Sequence, residues 1–174
     1  AMVTYSGNMA DMSVPSAIAF SGIVATSLIP YGLIPSILGA LAAGTIVGVI
    51  NGFVVGKLKA NAILWTLAMQ FMMGGLLRWI TGSNQVYPDT LLADKPELVN
   101  AFYNIYRYKV FGIIPMIIVV MTIYMVLFQF LLSKTRYGQQ LKVTGSNYKA
   151  ARFSGINTSK VVWLAFILCG VCAG

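Results

Sequence analysis

GTIVGVINGFVVGKLKANAILWTLAM, residues 44 to 69, decides the fold. Up to Gly56 the stretch carries no charge, then Lys57 and Lys59 bracket Leu58, and from Ala62 an apolar run resumes. Two apolar runs joined by a short basic link read as two membrane spans, connected on the side where Lys and Arg collect. Gly44, Gly48, Gly52 and Gly56 recur every four residues, so they share one helix face and let a neighbouring backbone approach closely. They are candidate helix-packing residues, and a smooth face along which a gate slides is the sharper alternative. Asn51 lies beside this stripe, where an amide needs a partner on another helix or in a wet cavity. Packing is the plainer reading of Asn51. With Thr66 and Gln70 of the next span it also forms the candidate path-lining set.

The pattern extends outward. With 58% hydrophobic and 9% charged residues, the chain exposes far more apolar surface than a soluble domain tolerates. Runs long enough to cross a bilayer are Met12 to Ile29, Leu33 to about Gly56, Ala62 to Ile80, and Val110 to Leu132, with a fifth starting at Val161. The expected fold class is therefore all-α, a polytopic transmembrane bundle of about five spans within residues 1–174. Pro30, Tyr31 and Gly32 leave room for only a tight turn, so the first two spans form a helical hairpin. Trp65 and Trp79 stand near the ends of the third span, where indoles favour the membrane interface. The chain begins without Met and stops at Gly174 inside an apolar run, which suggests part of a longer polypeptide.

Basic residues set orientation. Residues 57–61 and 133–160 are basic, the latter holding Lys134, Arg136, Lys142, Lys149, Arg152 and Lys160 without an acid, and are expected to be cytoplasmic. Residues 81–109 carry Asp89, Asp94 and Glu97 beside three bases and are expected to face outward. The net charge of +8 therefore reports topology, and nucleic acid is not an expected partner.

Catalytic chemistry finds little support. The chain has no His, and its four acids lie at Asp11, Asp89, Asp94 and Glu97, which leaves a proton relay almost nothing to run on. Cys169 and Cys172 stand in an apolar run and read as small packing residues. No hydrolase elbow, zinc spacing or phosphate loop is present, so ATP, if used, is bound by another chain. Arg78, near the outer end of its span, is expected to snorkel to the interface.

GSNYKAARFSGIN, residues 145 to 157, is polar and basic between two apolar runs. Three collinear stretches, DMSVPSAIAFSG (11–22), GTIVGVINGFVVGKLKANAILWTLAM (44–69) and TRYGQQLKVTGSNYKAARFSGIN (135–157), resemble the membrane subunits of ABC importers of the ribose and autoinducer-2 type. The resemblance departs at Pro15, where the family has Gly, and at Tyr148 and Lys149, where it commonly has an acid. It implies a bacterial inner-membrane permease, not an enzyme, that forms the path for a sugar or sugar-like solute. It further implies ABC ATPase subunits holding ATP and Mg, a second permease subunit, and an extracytoplasmic solute-binding protein. No cofactor is expected on this chain. Residues 133–160 become a coupling loop, with Asn147, Tyr148, Lys149, Ala150, Ala151, Arg152 and Gly155 as its candidate contact to the ATPase. Asn147 can cap a short helix there, Gly155 can end it, and the two alanines permit close approach. An ion-coupled carrier working without ATPase, and a non-transporting scaffold using its basic loop for anionic lipid, are the alternatives.

Overall fold

The computed structural model describes residues 9–84, 100, 103–104, 107–110 and 114–174. Helix α1, Val14–Leu28, carries Pro15 in its first turn, where the missing N–H would lack an intrahelical partner anyway. A 3₁₀ turn, Ile29–Tyr31, and Gly32 at φ 118° reverse the chain into α2, Leu33–Gly52. Only glycine takes that positive φ without strain, which makes the hairpin tight. The Ser36 hydroxyl donates to the Ala25 carbonyl at 2.7 Å and ties the hairpin together.

At Gly52 the α ladder widens into a π turn, Phe53–Lys57. The link that follows puts Lys59 at φ 58° before Asn61, whose side chain accepts from the amides of Ile63 and Leu64 and so starts α3, Ala62–Thr81. Gly82 in the left-handed region closes α3.

The fourth span begins later than the apolar run suggests. Strands β1, Lys109–Val110, and β2, Ile114–Pro115, pair antiparallel, with Lys109 opposite Pro115, and α4 runs only from Met116 to Lys134. Pro115 biases Ile114 toward extended backbone, which delays the helix by six residues relative to Val110. Most of the outer-loop expectation, including Asp89, Asp94 and Glu97, lies outside the described residues.

The basic loop is largely helical. Thr135 caps α5, Arg136–Ser146, by accepting from the Gly138 amide, and Asn147 caps α6, Tyr148–Phe153, by accepting from the Ala150 amide. Gly155 at φ 79° ends α6, and Asn157 caps α7, Thr158–Ala173. Among the described residues, four helices are long and apolar enough to cross a membrane, namely α1 with its 3₁₀ extension, α2 with the π turn, α3 and α4; α7 is apolar but has 16 residues.

The core sits where α2 and α7 cross antiparallel. A Cβ on Gly48 would lie 2.5 Å from the Phe166 carbonyl oxygen, and one on Gly52 or Gly56 would lie within 2.9 Å of Trp163 or Ser159. On Gly44 it would collide with the Gly170 carbonyl. All four stripe glycines therefore face α7. Lys57 adds its ammonium over the Trp163 ring at 5.3 Å. Helix α4 buries only Leu132 of its own residues, so nearly all of its side chains face outward from the bundle.

Candidate functional site

The start of α1 is the most polar place inside the bundle. Residues 9–13 are not helical, and they enter beside α2 and α3 before Ser13 begins the first turn. Non-helical backbone at membrane depth survives only where protein buries it or a cavity wets it. Here side chains satisfy the last two of its amides, those of Met12 and Ser13. Asp11 Oδ1 accepts from the Ser13 amide at 2.9 Å and from the Ser13 hydroxyl at 2.7 Å. Asn51 Nδ2 donates to Ser13 Oγ at 2.7 Å, and the Trp65 indole N–H donates to Asn51 Oδ1 at 3.0 Å. One turn away, the Met12 amide donates to Thr66 Oγ1 at 3.0 Å.

Asn51 and Thr66 are buried and converge on this break; Gln70, also on α3, is half-buried and joins no described hydrogen bond there. Trp65 departs from the interfacial expectation, because its indole turns inward to Asn51. Composition gave no sign of this, since the acceptor lies on a different span. A small cavity of about 10 Å³, enough for a single water, lies among Asp11, Ser13, Asn51, Gly48 and Cys169.

The second polar region lies at the basic end of the bundle. There the 57–61 link and residues 148–159 line shared cavities, so both basic segments occupy one side. Helix α6 exposes Lys149, Ala150 and Arg152, with Phe153 91% exposed at its tip. Ala151 is 0% exposed, packed within the chain itself, so it is not available as a docking contact. Phe153, which stands beside Arg152 in sequence, is the exposed apolar residue that sequence reading passed over; a helical wheel drawn from the Asn147 cap places it opposite Ala151.

Short bonds tie α6 to α7. The Ile156 amide donates to the Ala151 carbonyl at 3.1 Å, and only residues 154–157 separate the two helices. Helix α5 joins them through Leu141, which clusters with Val161 and Ala165 of α7 and Leu132 of α4, and through Tyr137, whose hydroxyl donates to the Val161 carbonyl at 3.2 Å. Burial pushes the Tyr137 hydroxyl well above its ordinary pKa, so it stays a donor. Helices α5, α6 and α7 thus pack together, α7 rests on the glycine stripe of α2, and α2 holds the polar break through Asn51.

Apolar spans, a polar break in the first of them and a basic helical segment on one side are the marks of a multi-pass membrane protein. The family described as "Branched-chain amino acid transport system / permease component" matches residues 1–174, and the chain belongs to it. It is 31% identical over 170 residues to the L-arabinose ABC transporter permease protein AraH of Azospirillum brasilense, covering 94% of this chain and 46% of that protein. The ribose import permease protein RbsC of Escherichia coli K12 is 29% identical over 170 residues, covering 94% and 50%. The D-allose transport system permease protein AlsC of the same strain is 29% identical over 167 residues, covering 94% and 48%. The chain therefore spans about half the length of the curated relatives it matches. No solved structure matches it at a significant level.

Proposed function

We propose that this chain forms part of the translocation path of an ATP-driven importer in a bacterial inner membrane. The solute in this reading is a monosaccharide, supported by the sugars in the relatives' names. The family description favours a second reading, a branched-chain amino acid. The chain is a transport subunit and not an enzyme. Separate ABC ATPase subunits bind ATP and Mg, a second permease subunit completes the path, and an extracytoplasmic protein delivers the solute.

The observation that carries this reading is α6, which buries Ala151 and leaves Phe153, Lys149 and Arg152 outward. An exposed aromatic flanked by cations is the composition of an interface anchor. Closure of the ATPase pair moves α6, α7 follows as one unit with it, and the shift reaches Asn51 and the break before α1 across the glycine contact. Such a transition is a rigid-body displacement between two packed states.

Solute-stimulated ATP hydrolysis by the complete transporter tests the reading. Phe153→Asp should leave the complex in the membrane and lower stimulated hydrolysis at least about tenfold, the range of a lost interface anchor. Unchanged hydrolysis in that variant contradicts it.

A further inference from the structure

We propose that the basic end of the bundle holds one anionic phospholipid, its phosphate between Lys59 and Arg152 and an acyl chain in the adjoining apolar cavity. Arg152 also belongs to the proposed ATPase contact on α6, and the test below separates the two roles.

Two cavities meet there. One, about 330 Å³, is lined by Lys59, Tyr148, Arg152, Asn157 and Ser159, which are cationic or carry polar groups. The other, about 430 Å³, is walled largely by Met9, Val55, Ala62, Ile63 and Val162. Lys59 and Tyr148 line both. A polar chamber opening beside an apolar one has the shape of an amphiphile.

The charge selects an anion. Lys59 and Arg152 are both exposed, and none of the four acids in the sequence falls between residues 12 and 88 or after residue 97. Neither cation has a salt bridge among the described residues. A guanidinium meets two phosphate oxygens in a fork, an ammonium adds a point charge, and the hydroxyls of Tyr148 and Ser159 add neutral donors. Lys59 is held at φ 58°, a backbone conformation disfavoured for any residue with a side chain and often kept at ligand clamps.

Position selects a lipid over a soluble phosphate or an acidic side chain. The π turn ends at Lys57, α3 starts at Ala62 and α7 starts at Thr158, so the cavities lie at the level where three apolar helices end. Phosphate headgroups lie at that boundary, and basic pockets between spans there suit them. A soluble anion would leave the apolar chamber empty.

The test uses the full-length permease in bilayers of phosphatidylcholine with phosphatidylglycerol, extracted gently and weighed by native mass spectrometry. Retention of phosphatidylglycerol over phosphatidylcholine is expected. Lys59→Gln with Arg152→Gln should weaken retention by about tenfold or more, from the loss of two phosphate-facing cations. Arg152→Lys should recover part of it, and Lys142→Gln, on the exposed face of α5, should change nothing. If the double variant unfolds, each single glutamine variant is read in its place. Equal retention of both lipids, or full retention in the glutamine variants, overturns the proposal. So does displacement by inorganic phosphate alone, which would mark a site for a soluble anion. Loss of the co-purified ATPase with the lipid kept would assign the two charges to that partner and overturn it as well.

Discussion

The side-chain amide of Asn51 donates to the Ser13 hydroxyl at 2.7 Å while its carbonyl accepts from the Trp65 indole at 3.0 Å, so one residue of α2 joins α1 and α3. Inside a bilayer these bonds replace water that the groups cannot reach. Asn51→Leu leaves the indole N–H without its acceptor and Ser13 without its donor, at about 1–3 kcal/mol per buried unsatisfied group. The thermal midpoint in detergent should fall clearly. A double-mutant cycle of Asn51→Leu with Trp65→Phe should show a coupling of about 0.6 kcal/mol, the usual size for such a bond between spans. Strict additivity would mean that the bond contributes nothing.

Gly48→Ala sets two effects against each other. Alanine favours a helix interior over glycine by about 1 kcal/mol. The new Cβ, however, lies 2.5 Å from the Phe166 carbonyl oxygen, which is backbone and cannot swing aside. Overpacking of that kind costs about 1–3 kcal/mol, so net destabilisation is expected. Gly74→Ala on α3 meets nothing within 4 Å and should be neutral or stabilising. Equal midpoints for the two variants would contradict the close crossing of α2 and α7.

How far the sequence could be read depended on whether a signal was local. Apolar runs placed α1, α3 and α2 taken with its π turn within a residue or two, because span length is a property of composition. Asn147 and Gly155 marked the two ends of α6, because caps act within a few residues. Helix α5 was missed inside a polar loop, although Tyr137, Leu141 and Thr144 keep a helical spacing on one face. The inward turns of Trp65 and Ala151 depend on partners far away in sequence, and no pattern within one segment reports them. Val110 misled because its apolar run continues past Pro115 without a charge.

Tyr137 gives a pH dependence with a defined sign. Burial raises its pKa above the ordinary value of 10.0, so the folded protein holds the proton more tightly than the unfolded chain does. The stability it contributes is complete below pH 10 and is lost as pH rises beyond that. Tyr137→Phe removes the bond to the Val161 carbonyl and should cost about 0.5–1.5 kcal/mol at neutral pH. It should also lose less stability than the parent between pH 9 and 11. Parallel midpoint curves for the two proteins would show that the hydroxyl is not buried against α7.

Phe153 and Ala151 stand two residues apart on α6, one 91% and the other 0% exposed, and that contrast allows the most direct measurement. Single cysteines are placed at each position in a complete, otherwise cysteine-free permease co-expressed with its ATPase, and crosslinking is followed with and without nucleotide. The expected result is a nucleotide-dependent crosslink from Phe153→Cys and none from Ala151→Cys. No crosslink from Phe153→Cys in assembled complexes, or an equal one from Ala151→Cys, would contradict docking of the ATPase on the outer face of α6.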